Sequence, residues 1–145
     1  MIKNASQEDI AYVLANMRPE DVKEIWQATG KSCYEAISDL EKLPYVALVI
    51  WNDEPVCVFG ATLNGDGSAT MFRFATPRWP TVIREAIKFG RRQFIEKMRE
   101  AGVTKLVAQT TWDSDAEWLR LFGATETGGR GDEALFRHFE LDLAA

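Results

Sequence analysis

The sequence predicts an α/β (α+β) protein with N-terminal helices, a mixed and mostly antiparallel sheet, one parallel β–α–β crossover and a C-terminal hairpin. Three observations predict this class. Apolar residues recur at helical spacing over the first forty residues, and β-branched and aromatic runs bounded by turn residues begin near residue 44. A long helical stripe then separates two strand-like segments. The 145 residues are expected to form one domain, 1–145, large enough to bury a core.

The first forty residues are predicted to be helical. Ser6 is placed to cap a first helix, and Pro19 suits the first turn of a second helix that ends at Gly30. Residues 32–35, Ser-Cys-Tyr-Glu, match a capping box that opens a third, short helix.

Three strands are expected next, as an antiparallel meander. Residues 44–51 form a continuous apolar run, and residues 56–63 return the chain after a short turn. Residues 64–67, Asn-Gly-Asp-Gly, are a hairpin turn sequence, and the third strand follows it.

The longest helix and its flanking strands predict the crossover. Its core-facing stripe repeats at steps of four, three, four and four residues: Ile83, Ile87, Gly90, Phe94 and Met98. Gly102 ends this helix, and residues 104–111 read as a strand. A strand, helix and strand in this order predict two parallel strands with a right-handed connection.

A capping box at residues 114–117 is predicted to begin a short helix that runs through Phe122. Two final strands, near Thr125 and over residues 134–141, bracket the glycine-rich sequence GGRGD.

Composition argues against several classes of protein. The formal charge of −5 disfavours general nucleic-acid binding. No apolar run reaches the ~20 residues of a membrane span, and the N-terminal segment lacks the apolar core of a signal peptide. The chain is therefore expected to act inside a cell, without membrane insertion.

The metal-binding residue types are few. Cys33 and Cys57 are interpreted as free thiols rather than a disulfide, because the chain has no secretion signal. His138 is the only histidine, and it lies in the final strand with a structural or surface position expected. No metal site is predicted.

The order of elements resembles the GCN5-related N-acetyltransferase (GNAT) fold over nearly the whole chain. The most specific piece is DSDAEWLRLFGATE, residues 113–126, which resembles the family's late helix and the Gly-Phe turn that follows it. Here that turn reads Gly123-Ala124. Within the superfamily, this departure and a glycine-poor connection before the long helix make the chain more similar to the small acetyltransferase-like internal virion proteins of short-tailed bacteriophages.

The resemblance implies an acetyl-CoA loop at residues 76–81. Active members carry an Arg/Gln-x-x-Gly-x-Gly/Ala loop, whose small residues let backbone N–H groups approach the pyrophosphate. With Arg78 aligned to the first position, Thr81 stands where glycine is expected, and Pro80 has no N–H group. The loop is therefore interpreted as degraded, with Thr76, Arg78, Thr81 and Arg84 as the candidate residues that still contact the cofactor.

A row of basic residues accompanies this loop. We interpret it as a solvated helix face mixed with acidic residues, and the alternative is a phosphate-binding surface. Its members are Arg78, Arg84, Lys88, Arg91 and Arg92.

No catalytic residue is predicted. The resemblance places the tyrosine that many members use as a general acid at Leu119, which has no proton to give. The expected general base is a carboxylate near the meander, but Glu54 and Asp66 lie in turns, where a structural role is the preferred interpretation. Acyl transfer from a thioester depends mainly on proximity and orientation, so a catalyst without a recognisable acid stays open.

Two tryptophans are candidate anchors for a protein partner. Trp79 and Trp112 lie at the C-terminal ends of the two parallel strands, where this fold opens for its ligand. Core packing is the default for both, as it is for Trp26, Trp51 and Trp118.

The preferred hypothesis is a catalytically degenerate acetyltransferase-like protein that serves as a structural or assembly component of a phage virion. It would need no cofactor, would bind portal, core or tail proteins, and would pass from the host cytoplasm into the particle. The first alternative is an active N-acetyltransferase that moves an acetyl group from acetyl-CoA to an amine. The second is a binding module directed at a host protein.

Overall fold

The computed structural model describes residues 1–40, 44–110, 113–128 and 137–143. These residues form one mixed sheet with helices on both faces. The strands are β1 Ile2–Asn4, β2 Tyr45–Trp51, β3 Pro55–Leu63, β4 Ser68–Ala75, β5 Lys105–Thr110, β6 Thr125–Gly128 and β7 Arg137–Asp142. The helices are α1 Gln7–Ala15, α2 Pro19–Thr29, α3 Cys33–Leu40, α4 Ile83–Glu85, α5 Arg91–Glu100 and α6 Asp113–Phe122.

The sheet has the strand order β1-β2-β3-β4-β5-β7-β6. The predicted meander is confirmed, since β2, β3 and β4 pair antiparallel in sequence order. The predicted crossover is also confirmed, because β4 and β5 are parallel and the long helical segment joins them. The closing strands β6 and β7 pair antiparallel, and β7 lies between β5 and β6. The glycine-rich segment 129–136 lies outside the described residues.

The expectation that the first forty residues are entirely helical is wrong at the extreme N-terminus. Residues Ile2–Asn4 form β1, which pairs antiparallel with β2 and places Ile2 opposite Ile50. Three residues are too short for an alternating pattern to be read, so only the partner strand reveals this edge strand.

The predicted helix caps are confirmed at the N-terminal helices. The Ser6 hydroxyl accepts the Asp9 N–H, and the Asp9 carboxylate accepts the Ser6 N–H in return. Pro19 opens α2, and Gly30 ends it with a positive φ of 67°. The predicted start of α6 is two residues late, because the helix begins at Asp113 and Ser114, predicted to precede it as the cap, lies inside it.

The crossover helix is continuous but not uniform. A 3₁₀ turn, Trp79–Thr81, leads into α4, and a π-helical segment, Ala86–Gly90, joins α4 to α5. The predicted stripe faces the core as expected, with Phe94 and Met98 fully buried. A Cβ built on Gly90 would lie 2.9 Å from Phe59 Cζ, so glycine lets the helix approach the sheet closely.

The core has one layer on each face of the sheet. The larger layer packs α4–α6 against the sheet around Phe59, Phe94 and Phe122. The smaller one packs α1 and α3 against the other face around Val13 and Phe74. Trp118 is buried and Trp51 is half-buried, but the expected core position of Trp26 is wrong, since this side chain is 60% exposed.

Both cysteines are free thiols, with Cys57 buried and Cys33 partly buried. His138 lies in β7, partly buried, and its Nε2 has no hydrogen-bond partner among the described residues.

Candidate functional site

The two parallel strands diverge toward their C-terminal ends and leave a wedge in the sheet. Pairing between β4 and β5 covers only residues 68–70 and 105–107. Each strand nevertheless continues, and it stays paired with its other neighbour as far as Ala75 and Thr110. Residues 71–75 of β4 therefore face residues 108–110 of β5 across an opening, which is where ligands bind in sheets with parallel strands.

The hydrogen-bond alternation of β4 decides which backbone groups face the wedge. Thr76 N–H donates to Val56 O at 2.8 Å, and hydrogen-bonded pairs alternate along an antiparallel ladder. The N–H and C=O groups of residues 71, 73 and 75 are consequently directed away from β3 and toward β5. An extended chain with amide groups can add to such an edge as a further strand would.

The N-terminal end of α2 occupies the far end of this edge. Arg18 N–H donates to Ala75 O at 2.8 Å, and the Asp21 carboxylate accepts the Ala75 N–H at 2.8 Å. The same carboxylate pairs with the Arg18 guanidinium at 2.8 Å and lies 3.7 Å from Arg73 Nη1. This buried ionic group closes the wedge at Ala75 and leaves the stretch nearer the β4–β5 pairing for a ligand.

The loop after β4 uses its own N–H groups internally. The Thr76 hydroxyl accepts the Arg78 N–H at 3.3 Å, and Thr76 O accepts the Trp79 N–H at 3.0 Å. The Thr81 N–H and hydroxyl both donate to Arg78 O. Thr76 is buried as well, so Thr76 and Thr81 shape the loop instead of presenting donors to a ligand.

The backbone N–H groups that open the crossover helix lie further along the chain than the loop motif at residues 76–81 indicates. Val82 N–H still donates to Trp79 O, and the first bond of the α-helical ladder runs from Ala86 N–H to Val82 O. The N–H groups of residues 83–85 therefore precede the ladder, as the first N–H groups of a helix do. They point along the helix axis with the positive end of its dipole, the usual environment for a phosphate group.

Arg78 is held outside the wedge by the turn between β2 and β3. Its Nη1 lies 3.1 Å from Glu54 Oε1, and the Tyr12 hydroxyl donates to Glu54 Oε2 at 2.6 Å. The hydrogen bond from Tyr12, together with Arg78, holds the pKa of Glu54 below its ordinary value, and the same bond raises the pKa of Tyr12. Glu54 thus has the structural role expected from its turn position.

Three exposed basic residues lie along the first half of the crossover helix. Arg84, Lys88 and Arg91 follow each other at steps of four and three residues, and all are exposed. A Cβ on Gly123 would lie 3.1 Å from Arg91 Nη2, so Arg91 borders the turn after α6. Arg84 lies within the segment 83–85, whose N–H groups have no acceptor in the described part of the chain, and Lys88 and Arg91 follow it toward the turn after α6.

An aromatic cluster packs around the Arg73 side chain, beside the wedge-facing stretch of β4. Trp79 is only 4% exposed and meets Trp118 edge to face at 5.9 Å. The Arg73 guanidinium lies 4.9 Å from the Trp79 ring and 5.8 Å from the Trp118 ring. Trp79 is thus part of the core and not the exposed partner anchor that the sequence suggested.

Trp118 carries a buried donor that the described residues leave unused. Its side chain is 5% exposed, and its Nε1–H has no hydrogen-bond partner among them. Leaving such a group unpaired costs about 1–3 kcal/mol, so a buried donor of this kind needs an explanation. Sequence reasoning assigned Trp118 to the core and had no pattern from which an unpaired N–H could be inferred.

Among the described side chains at the wedge, none is evident as a general acid or a general base. Leu119 is buried and offers no proton, and β4 itself contains no carboxylate. Both oxygens of Asp21 already accept hydrogen bonds, from Arg18 and from the Ala75 N–H. The wedge can thus bind and orient an extended ligand, but proton transfer there would depend on solvent or on the substrate itself.

The remaining predicted site residue, Trp112, lies outside the described residues. Within the described ranges, no group of His, Cys, Asp and Glu side chains could hold a metal ion. Among the helices of that part of the chain, none is both long and apolar enough to cross a membrane.

Comparison with known proteins identifies the fold. No protein-family model matches the chain, and no curated protein resembles it in sequence. Among solved structures, the GNAT domain of S. lividans PAT superposes with a TM-score of 0.69 at 12% identity, covering 97% of this chain and 89% of that one.

Two further neighbours are acetyltransferases of similar size. A ribosomal-protein-alanine N-acetyltransferase from Brucella melitensis matches at 18% identity and a TM-score of 0.62, covering 97% of this chain and 96% of that one. A Bacillus subtilis acetyltransferase in complex with CoA matches at 11% identity and a TM-score of 0.63, covering 97% of both chains. The chain therefore has the GNAT acyltransferase fold, as its element order predicted.

Proposed function

We propose that this protein is an acyl-CoA-dependent N-acyltransferase that uses the wedge between β4 and β5 to hold its acyl donor. The observation that carries the proposal is the early end of the parallel pairing, after which the described residues 71–75 of β4 and 108–110 of β5 no longer pair with each other, beside the start of a helix. That arrangement suits an extended, amide-containing chain with phosphates at one end, and acyl-CoA has this chemistry. The neighbours of the same fold support this class of donor.

The residues around the wedge fit such a donor. The N–H groups of residues 83–85 and the row of Arg84, Lys88 and Arg91 would hold the phosphates. The edge of β4 would hold the amides, and the buried Trp118 N–H, which has no acceptor among the described residues, would donate to the ligand beside that edge. Arg78 is paired with Glu54, so it would support the loop from outside.

Acyl-CoA supplies an activated acyl carbonyl. In the transfer, the amine nitrogen forms a bond to the acyl carbon, and the carbon–sulfur bond breaks with its electron pair on sulfur. The proton that the amine loses ends on the thiol. Because the described part of the site lacks an evident acid or base, this chain would act mainly by holding donor and amine together.

Thermal unfolding with acetyl-CoA tests the proposal. Ligand at about 100 times its dissociation constant stabilises a protein by about 2.7 kcal/mol, which raises the melting temperature of a domain of this size by roughly 5–10 °C. Arg84→Glu should remove most of the shift, since it places a negative charge beside the phosphates. Lys97→Glu makes the same change of charge thirteen residues further along the crossover helix, in the last turn of α5, so it is the control and should keep the shift.

A positive shift would be followed by a thiol-release assay across primary amines, including peptides with free N-termini. If acetyl-CoA at millimolar concentration does not raise the melting temperature, the proposed donor is ruled out.

Two observations favour a second candidate, a non-catalytic domain with this fold. Leu119 stands at the position of the expected general acid, and Pro80 removes a donor from the loop. In this proposal the protein is a component of a phage particle and binds portal, core or tail proteins. It would then be found in purified particles at fixed stoichiometry, and its absence from them would contradict this candidate.

A further inference from the structure

We infer that the indole N–H of Trp118 is the hydrogen-bond donor to the carbonyl oxygen of the bound acyl thioester. This inference rests on the proposed acyl-CoA function and assigns a role to a residue that the family resemblance does not mark. Its basis is a buried indole donor that has no acceptor among the described residues and lies where β4, the loop before α4 and α6 meet.

The position of Trp118 follows from its contacts. Its ring meets Arg73 of β4 and Trp79 of the loop before α4, at 5.8 Å and 5.9 Å. It stacks on Phe122 at 5.2 Å within its own helix. Arg73 belongs to the stretch of β4 that faces the wedge, so the indole lies where the strand edge, the loop and α6 converge.

The burial of the indole argues for a ligand in place of bulk solvent. Trp118 is 5% exposed, so water does not freely satisfy its N–H. By contrast, the half-buried Trp51 donates its indole N–H to Asp9 at 3.2 Å. An indole N–H is a donor only, so a carbonyl oxygen is a suitable partner.

The proposed role of Trp118 is consistent with the leucine at the next position, Leu119. Leu119 cannot give a proton, and an indole N–H does not give one either at ordinary pH. A fixed N–H that points at the carbonyl oxygen would instead orient the thioester and draw electron density toward oxygen, which makes the acyl carbon a better target for an amine. Trp118 therefore binds and polarises the acyl group while its own proton stays on nitrogen.

Nuclear magnetic resonance of the full chain tests this directly. The protein has five tryptophans, so a ¹⁵N–¹H spectrum has five indole signals, and Trp118→Phe identifies one of them. Acetyl-CoA should move the Trp118 indole signal downfield. Desulfo-CoA, which lacks the thioester, should move backbone signals of residues 83–85 and leave that indole signal in place.

Binding measurements give a second readout. Trp118→Phe keeps the ring stacking but removes the donor, so the preference for acetyl-CoA over desulfo-CoA should fall by about three- to tenfold. Affinity for desulfo-CoA should not change. Trp51→Phe, which removes an indole N–H on the opposite face of the sheet, should keep the preference of the unmodified chain.

The outcomes separate the inference from the proposed function. If acetyl-CoA moves signals near the wedge but leaves the Trp118 indole signal unchanged, the inference is overturned and the acyl-CoA function stands. If acetyl-CoA moves no signal at all, both are overturned. The spectrum of the unmodified protein decides this even if Trp118→Phe does not fold.

Discussion

Single residues set the close contacts of this fold. Among the described glycines, Gly60 leaves the least room for a side chain. It lies in β3 opposite Ala47, and a Cβ built on it would overlap the carbonyl oxygen of Val46. Backbone atoms in a central strand cannot move aside as a side-chain tip can. Gly30 differs, because it has a positive φ but nothing within 4 Å of a built Cβ.

Gly60→Ala is therefore expected to be far more destabilising than Gly30→Ala. The first should lower the free energy of unfolding by more than about 3 kcal/mol or prevent folding, since it forces the β2–β3 ladder apart. The second should cost about 1–2 kcal/mol, the ordinary cost of an L-residue in the left-handed region. Urea unfolding of both variants compares them, and equal losses would contradict the close contact at Gly60.

At the scale of elements, α2 is attached to the end of β4 by polar groups. Asp21 is 2% exposed, and it accepts from the Ala75 N–H and from the Arg18 guanidinium. Removing one partner of a buried ion pair leaves the other charge uncompensated. This attachment also decides how far the wedge extends along β4.

Asp21→Asn should lower the free energy of unfolding by about 3–5 kcal/mol, because the Arg18 guanidinium loses its buried counter-charge. Glu20→Gln is the control on the same helix. Its side chain is half exposed, and its distance to Arg18 is 3.6 Å, longer than the 2.8 Å between Asp21 and Arg18. An exposed pair of this kind contributes at most about 1 kcal/mol. Chemical unfolding of both variants tests this, and a small loss for Asp21→Asn would mean that the ion pair contributes little and that other contacts, such as the Arg18 N–H bond to Ala75 O, hold the helix.

At the scale of the whole molecule, several carboxylates link stability to pH. Burial raises the pKa of Asp9, but hydrogen bonds from the Ser6 backbone and hydroxyl outweigh it, and the net pKa is lowered. Ser68 lowers the pKa of Asp66, and Tyr12 lowers that of Glu54. A carboxyl group with a lowered pKa in the folded state stabilises above its unfolded pKa, and this stabilisation is lost as pH falls through the folded value.

The free energy of unfolding should therefore decrease as pH falls below about 4. Asp9→Asn should be less stable than the unmodified chain at neutral pH, by about 1 kcal/mol, because the cap of α1 is weakened. Its own loss between neutral and acid pH should be smaller, since one of the linked groups is gone. Urea unfolding across pH measures this. If the free energy of unfolding falls equally steeply with pH in both proteins, Asp9 does not contribute to the pH dependence.

Local sequence determined most of the elements of this protein. The caps at Ser6 and Gly30, the Asn-Gly-Asp-Gly turn and the stripe through Phe94 and Met98 act within a few residues, so their physics can be read along the chain. The order of these elements also predicted the fold that the comparison with solved structures confirmed.

The tertiary structure decided everything that depends on segments far apart in the chain. β1 exists because β2 is beside it, and the wedge exists because β4 and β5 diverge after three paired residues. The pairing of Arg78 with Glu54 and the burial of Trp79 likewise arise from distant neighbours. The N–H of Trp118, which has no partner in the described part of the chain, is of the same kind. Whether a donor has a partner depends on which groups the folded chain brings to it and not on its own sequence neighbours.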